Sequence, residues 1–206
     1  MGEAAAAVEV AGISLDLAAI GRAGRVILVE GRSDQAAVEV LAARRGMILG
    51  DAGLQVVAMG GVTSIGHFLA ALGPHGVNVS LSGLCDAGQE DYVRRALERG
   101  GLGLSASRAE LEALGFYVCA ADLEDELIRA VGIGAVERVI EGQGELRSLR
   151  TFQRQPFQRQ RSAAEQLHRF MGTRSGRKSQ YARLLAAAAA DSDRVPRPLA
   201  GVLAHG

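Results

Sequence analysis

The sequence predicts an α/β fold: a parallel four-stranded sheet flanked by helices, followed by a basic helical C-terminal region. Three observations predict it. Four short apolar runs are each followed by a stretch of helical periodicity. Acidic residues close or closely follow most of these runs. Basic side chains concentrate late in the chain: residues 1–143 hold 11 Arg against 19 Asp and Glu, a net of −8, and residues 144–206 hold 12 basic side chains against 4 acids, a net of +8.

The elements follow in order. Arg25 to Glu30 is a β-branched run ending in a carboxylate, and Gly31-Arg32-Ser33 leads into helical Asp34 to Arg45. Leu54 to Met59 is a second strand, closed by Gly60-Gly61, with Ser64 placed to cap the helix Ile65 to Leu72. Val77 to Asp86 is a third strand before the helix Glu90 to Arg99, and Phe116 to Ala120 a fourth before the helix Leu123 to Val131. Strand-then-helix repetition implies parallel strands with helical crossovers. Glu145 to Arg161, with Pro156 inside it and no hydrophobic period, reads as a loop or extended segment. Ala163 to Met171 and Lys178 to Ala190 read as amphipathic helices. The expected organisation is an N-terminal segment (1–24), an α/β domain (25–135) and a basic helical region (136–206).

Composition excludes several classes. The chain is 206 residues long, 48% apolar and 22% charged, too apolar for whole-chain disorder. It has no uncharged apolar run of membrane-spanning length, and its Ala-rich start lacks a basic leader. A cytoplasmic protein without a membrane partner is expected. Cys85 and Cys119 sit in apolar runs at a spacing that suits neither a zinc knuckle nor a disulfide framework, and read as reduced core residues.

In an open parallel sheet, ligands bind beyond the carboxyl ends of the strands. Glu30, Asp86, Asp122 and Glu124 all fall at that edge, and Asp34 lies one helical turn past Glu30. Each alone reads as a cap or a solvated helix start. Together they repel one another, which a divalent cation relieves, and hard oxygen donors favour Mg²⁺ or Mn²⁺ over zinc. Such a site suits phosphodiester hydrolysis, with water as nucleophile.

The motif L-V-E-G-R-S-D at residues 28–34 resembles the first motif of the Toprim domain, the fold shared by topoisomerases, primases and certain nucleases. Asp34 four residues after Glu30, and A-D-L-E at residues 121–124, make the chain more similar to the overcoming-lysogenization-defect (OLD) class of Toprim nucleases. The resemblance implies metal ligation by Glu30, Asp34, Asp86 and Glu124 with support from Asp122, and a Mg²⁺-dependent DNA endonuclease. A departure stands in the second motif. The family's usual Asp-x-Asp is replaced by Asp86-Ala87-Gly88, leaving Glu90 or Asp91 as partial substitutes. A non-catalytic nucleic-acid- or partner-binding module with an eroded metal site, and a nucleotidyl transferase, are the alternatives.

Lys178 is the single lysine among 23 basic residues. The resemblance gives a lysine in the helical region after the Toprim core a part in catalysis, and G-T-R-S-G-R-K at residues 172–178 is similar to its setting, so Lys178 is expected near the reacting phosphate. The same stretch is not a nucleotide-binding P-loop, because Arg177 stands where the second glycine belongs and no strand precedes it. Arg150, Arg154, Arg159, Arg161, Arg169, Arg174 and Arg177, interleaved with Phe152, Phe157 and Tyr181, suit phosphate contacts and base stacking on DNA. The alternative is that this basic tail neutralises the acidic part by packing on it. His168 reads as a packing or surface residue. The resemblance also implies an ATPase module as partner: either a separate subunit supplies it, or the chain works alone, or it is a shortened relative; a homo-oligomer is expected.

Overall fold

The structure, a computed structural model, describes residues 7–50, 53–174 and 176–205. A hairpin of β1 (Ala7–Val10) and β2 (Ile13–Asp16) leads through α1 (Leu17–Ala23) into β3 (Arg25–Val29) and α2 (Arg32–Arg44). Next come β4 (Leu54–Ala58), α3 (Ile65–Leu72), β5 (Ser80–Asp86), α4 (Glu90–Arg99), α5 (Arg108–Ala113), β6 (Phe116–Cys119) and α6 (Leu123–Val131). The remainder is helical: α7 (Ile133–Gly142), α8 (Leu146–Gln153), α9 (Pro156–Arg159), α10 (Ala163–Met171), α11 (Arg177–Asp191) and α12 (Arg197–Ala204).

The main sheet is parallel, in the order β4-β3-β5-β6. Its central strand β3 is apolar on both faces because both faces are covered. Val26 and Leu28 enter a core shared with α1, α3, α4 and α5, while Ile27 and Val29 enter one shared with α2, α6 and the helices that follow. Gly83 in β5 marks a close approach between β5 and its neighbours. A Cβ there would lie 2.8 Å from the Phe116 ring and 2.9 Å from the Leu28 carbonyl. α11 runs against α2 and α6, and Arg25 ties α12 to the start of β3 by donating to the carbonyls of Val202 and Leu203 at 3.1 and 2.8 Å.

Two sequence expectations need correction. Residues 145–161 are not a loop: Leu146, Leu149 and Phe152 form the apolar stripe of α8, and Pro156 opens α9, where its missing N–H costs nothing. Ser64 does not cap α3 with its side chain, since a 3₁₀ turn (Val62–Ser64) already feeds that helix. Within the N-terminal segment, β1 and β2 form a hairpin whose turn places Ala11 and Gly12 at positive φ, and Asp16 caps α1 by accepting from the Ala19 N–H at 2.9 Å. Both cysteines are free and buried. Among the described residues, no helix is long and apolar enough to cross a membrane.

Candidate metal centre

With the order β4-β3-β5-β6, the chain leaves β3 for β4 on one side and returns as β5 on the other. The crevice beyond β3 and β5 is therefore the topological switch point where such sheets bind ligands. Glu30 follows β3 and Asp86 ends β5, one on each lip.

Asp34 lies in the first turn of α2, and its Oδ2 accepts from the Gly31 N–H at 2.8 Å. Burial pushes its carboxyl up to about 6, with the charges of Glu124 and Glu30 adding to the rise and Gly31 and Lys178 opposing it. Asp86 is pushed further, to about 7, by burial first and then by the negative charges of Asp34, Glu30, Asp122 and Glu124. The carboxylates expected to meet thus feel one another across more than 90 residues of chain.

The third side of the centre is the start of α6. Asp122 is its N-cap, with Oδ1 accepting from the Asp125 N–H at 2.9 Å and Oδ2 lying 2.6 Å from His168 Nε2. Burial works to raise the Asp122 carboxyl, but His168 and the Asp125 N–H hold it below its usual range. The same hydrogen bond to Asp122 raises His168. Glu124 follows in the first turn, its side chain only 2% exposed, and neither oxygen accepts a hydrogen bond. Its charge is met by Lys178 from the first turn of α11, whose Nζ lies 3.1 Å from Oε2. Burial works to lower the Lys178 ammonium, and the charges of Glu124, Asp34 and Asp122 outweigh it and raise it. The neighbouring acids point elsewhere: Asp125 and Glu126 pair with Arg129.

Ligand atoms of Asp122, Glu124 and His168 lie within 4.8 Å of one another. A buried carboxylate whose Oε1 has no partner, beside two further ligand atoms, fits a divalent cation, because buried polar atoms are otherwise almost always satisfied. Carboxylate oxygens with one imidazole suit Mn²⁺ and tolerate Mg²⁺. His168, expected as a packing or surface residue, is partly exposed and pairs with Asp122 inside this cluster. Gln89 also went unread, and its Nε2 donates to Glu30 Oε2 at 2.6 Å. Glu90 does not replace the absent second aspartate, since its carboxylate is taken by Arg94 and Arg108. Asp91 lies by a separate surface hollow with Arg94, Arg95 and Glu98.

The arginines separate into two groups. Arg177 is buried, lies 4.3 Å over the Phe170 ring and donates to Glu145 at 2.7 Å, so it braces the fold and does not face a phosphate. Arg150 pairs with Glu137 at 2.7 Å, and Arg174 lies 3.7 Å from Glu145. Arg154, Arg159, Arg161 and Arg169 make no ion pair among the described residues. Neutralisation by packing also occurs, with Arg44 on Asp191 and Arg197 on Glu112 bridging the early and late parts of the chain.

The family model of the overcoming lysogenization defect protein-like TOPRIM domain matches residues 23–86, which run from the end of α1 to Asp86. The C-terminal region of the Burkholderia pseudomallei OLD protein superposes with a TM-score of 0.63 at 21% identity, covering 89% of this chain and 96% of that one. The C-terminal region of the Xanthomonas campestris pv. campestris OLD protein superposes with a TM-score of 0.63 at 24% identity, covering 91% and 93%. No curated protein matches the chain. The fold is that of the OLD C-terminal region, and the family match contains Glu30, Asp34 and Asp86, whereas Asp122, Glu124, His168 and Lys178 lie beyond it.

Proposed function

We propose that this chain is a Toprim-type, divalent-metal-dependent nuclease hydrolysing phosphodiester bonds of DNA. The observation that carries the reading is the buried carboxylate of Glu124, met only by the half-exposed Lys178 among the described residues, set beside Asp34 and Asp86, whose carboxyls burial and neighbouring acids push up at the sheet's switch point. Glu30, Asp34, Asp86, Asp122 and Glu124 would hold Mg²⁺ or Mn²⁺. The bound ion supplies Lewis acidity and acidifies water at neutral pH.

The chain's own residues do the rest. Gln89 fixes Glu30 through Oε2, leaving Oε1 without a hydrogen bond among the described residues and placed to take a proton from attacking water. Asp86, on the opposite lip, completes the acidic wall. His168 sets the orientation of Asp122, the kind of outer contact that tunes a ligand. Lys178 brings a compact positive charge to the rim, suited to a phosphate oxygen that gains charge during displacement. Arg154, Arg159, Arg161, Arg169 and Arg174 supply contacts to the DNA backbone. Two buried free thiols support a reducing, cytoplasmic setting, and an ATPase partner in trans remains compatible with this reading.

Nicking of supercoiled plasmid by pure protein under Mn²⁺ titration, with Glu30→Gln alongside, tests the proposal. Nicking by the wild type and loss in the variant support it; equal activity in both removes it. One observation favours a second reading, a binding module without catalysis: Lys178 and His168 already occupy Glu124 and Asp122 as partners from within the chain. Tight DNA binding with no cleavage at any Mn²⁺ concentration selects that reading.

A further inference from the structure

Four aromatic rings interleave the basic stretch, and three are used internally. Phe152 packs edge-on against Phe170 with ring centroids 5.7 Å apart, and Tyr181 is fully buried with its hydroxyl donating to Glu145 at 2.7 Å. Phe157 is 84% exposed. It does not hang on a loose loop. Pro156 opens α9 beside it, Gln158 on its other side is buried, and Gln166 of α10 donates to the carbonyls of Gln158 and Arg161 at 2.8 and 3.1 Å. The turn presents the ring to solvent.

Four residues on, Arg161 lines a hollow of about 390 Å³ with Ala121, Asp125, His168 and Arg169. His168 is shared with the metal centre, so the hollow adjoins the carboxylates. Arg161 Nε is buried there without a hydrogen-bond partner, and neither Arg161 nor Arg169 has an ion-pair partner among the described residues. An unsatisfied guanidinium donor calls for an anionic oxygen, and an apolar ring held in water four residues before Arg161 calls for a flat π-face that carries negative charge nearby. A nucleotide offers both together. In a duplex, the faces of the bases are covered by their neighbours, so only an unpaired base can lie on the ring.

We propose that Phe157, Arg161 and Arg169 form a seat for an unpaired nucleotide, its phosphate held in the hollow by the two arginines and its base stacked on Phe157, so that single-stranded or locally opened nucleic acid enters the metal centre. This rests on the reading above that the substrate is nucleic acid.

The chain contains no Trp, so Phe157→Trp introduces a single indole reporter at the ring position. With the full chain in EDTA, anisotropy of a fluorescein-labelled oligothymidylate and of a duplex of equal length reads the two affinities without cleavage. The expected result is a preference for the single strand, lowered roughly tenfold or more in Phe157→Ala and kept in Phe157→Trp, with the indole emission quenched by the single strand. Arg161→Ala is expected to weaken the single strand and flatten its salt dependence by about one contact. Unchanged single-strand affinity in Phe157→Ala, an unmoved indole signal, or a changed sedimentation coefficient with DNA affinity intact overturns the seat. Plasmid nicking that survives in Phe157→Ala with an unaltered KM leaves the nuclease reading standing while the seat falls. A wild type that binds neither strand form overturns both.

Discussion

The ammonium of Lys178 lies 3.1 Å from Glu124 Oε2, and it is the cation that meets this buried carboxylate. Lys178 is half exposed, so the pair is asymmetric: removing the lysine strands a charge, whereas removing the glutamate leaves an ammonium that water can reach. Lys178→Met is expected to destabilise the metal-free protein by about 1–2 kcal/mol, discounted for the exposure of the lysine. That is a drop of a few degrees in Tm for a chain of this size. Saturating Mn²⁺ should close the gap between variant and wild type, and Lys178→Arg should melt close to the wild type. Differential scanning calorimetry with EDTA and with Mn²⁺ reads all three.

The pH dependence has a definite sign. In the folded state Asp34 and Asp86 keep their protons up to about 6 and about 7, whereas unfolded aspartates release theirs near ~3.9. Carboxyls raised in the native state contribute stability that is complete below the unfolded value and lost as pH rises through the folded one. His168, raised by Asp122, acts in the same sense above its own unfolded value. Metal-free Tm should therefore fall between about pH 5 and pH 8. Cation binding displaces these protons, so Mn²⁺ affinity should rise over the same interval. Thermal melts across that range with and without Mn²⁺ check both directions, and a metal-free Tm that climbs with pH contradicts the arrangement.

Gly88 stands where the related motif carries a second aspartate. A Cβ built there meets nothing within 4 Å, and its φ is not positive, so the position accepts a side chain. Gly88→Asp should fold normally and, by adding a charged oxygen donor, tighten Mn²⁺ roughly tenfold. Isothermal titration of both proteins measures it. Unchanged affinity would show that position 88 faces away from the ions.

Arg177 is held by Glu145, Thr173 and the Phe170 face, and Tyr181 shares the same carboxylate. Arg177→Met should cost about 3 kcal/mol, because it breaks a buried charged network. The salt slope of DNA binding should not change, since this guanidinium faces inward. Denaturant unfolding and anisotropy at several salt concentrations separate the two statements. A flattened slope in the variant would return Arg177 to the phosphate-contacting set.

The strands were legible because each is a local event: Arg25 to Val29 is β-branched, buried on both faces and stopped by a carboxylate. The joint placement of Glu30, Asp34, Asp86 and Glu124 followed from parallel topology alone, which puts strand ends at one edge. His168 and Gln89 escaped notice because their partners, Asp122 and Glu30, lie far away in the chain and nothing local marks a residue for a distant contact. The Arg-rich composition of residues 145–161 masked the Leu146, Leu149 and Phe152 stripe, and Pro156 was taken as a breaker when it starts a helix. The capping box of Ser107 and Glu110 was visible as S-x-x-E and still passed over, so α5 went unread.

The acids of the centre come from the ends of β3 and β5 and the starts of α2 and α6, while Lys178 and His168 come from helices that are also the cover of one sheet face. A chain that stops short of α10 has the carboxylates but neither counter-charge, and an uncovered apolar surface besides. Chemistry and packing are thus completed by the same late segment. Building the acidic cluster and covering that sheet face are therefore one event, and neither is finished before α10 and α11 dock.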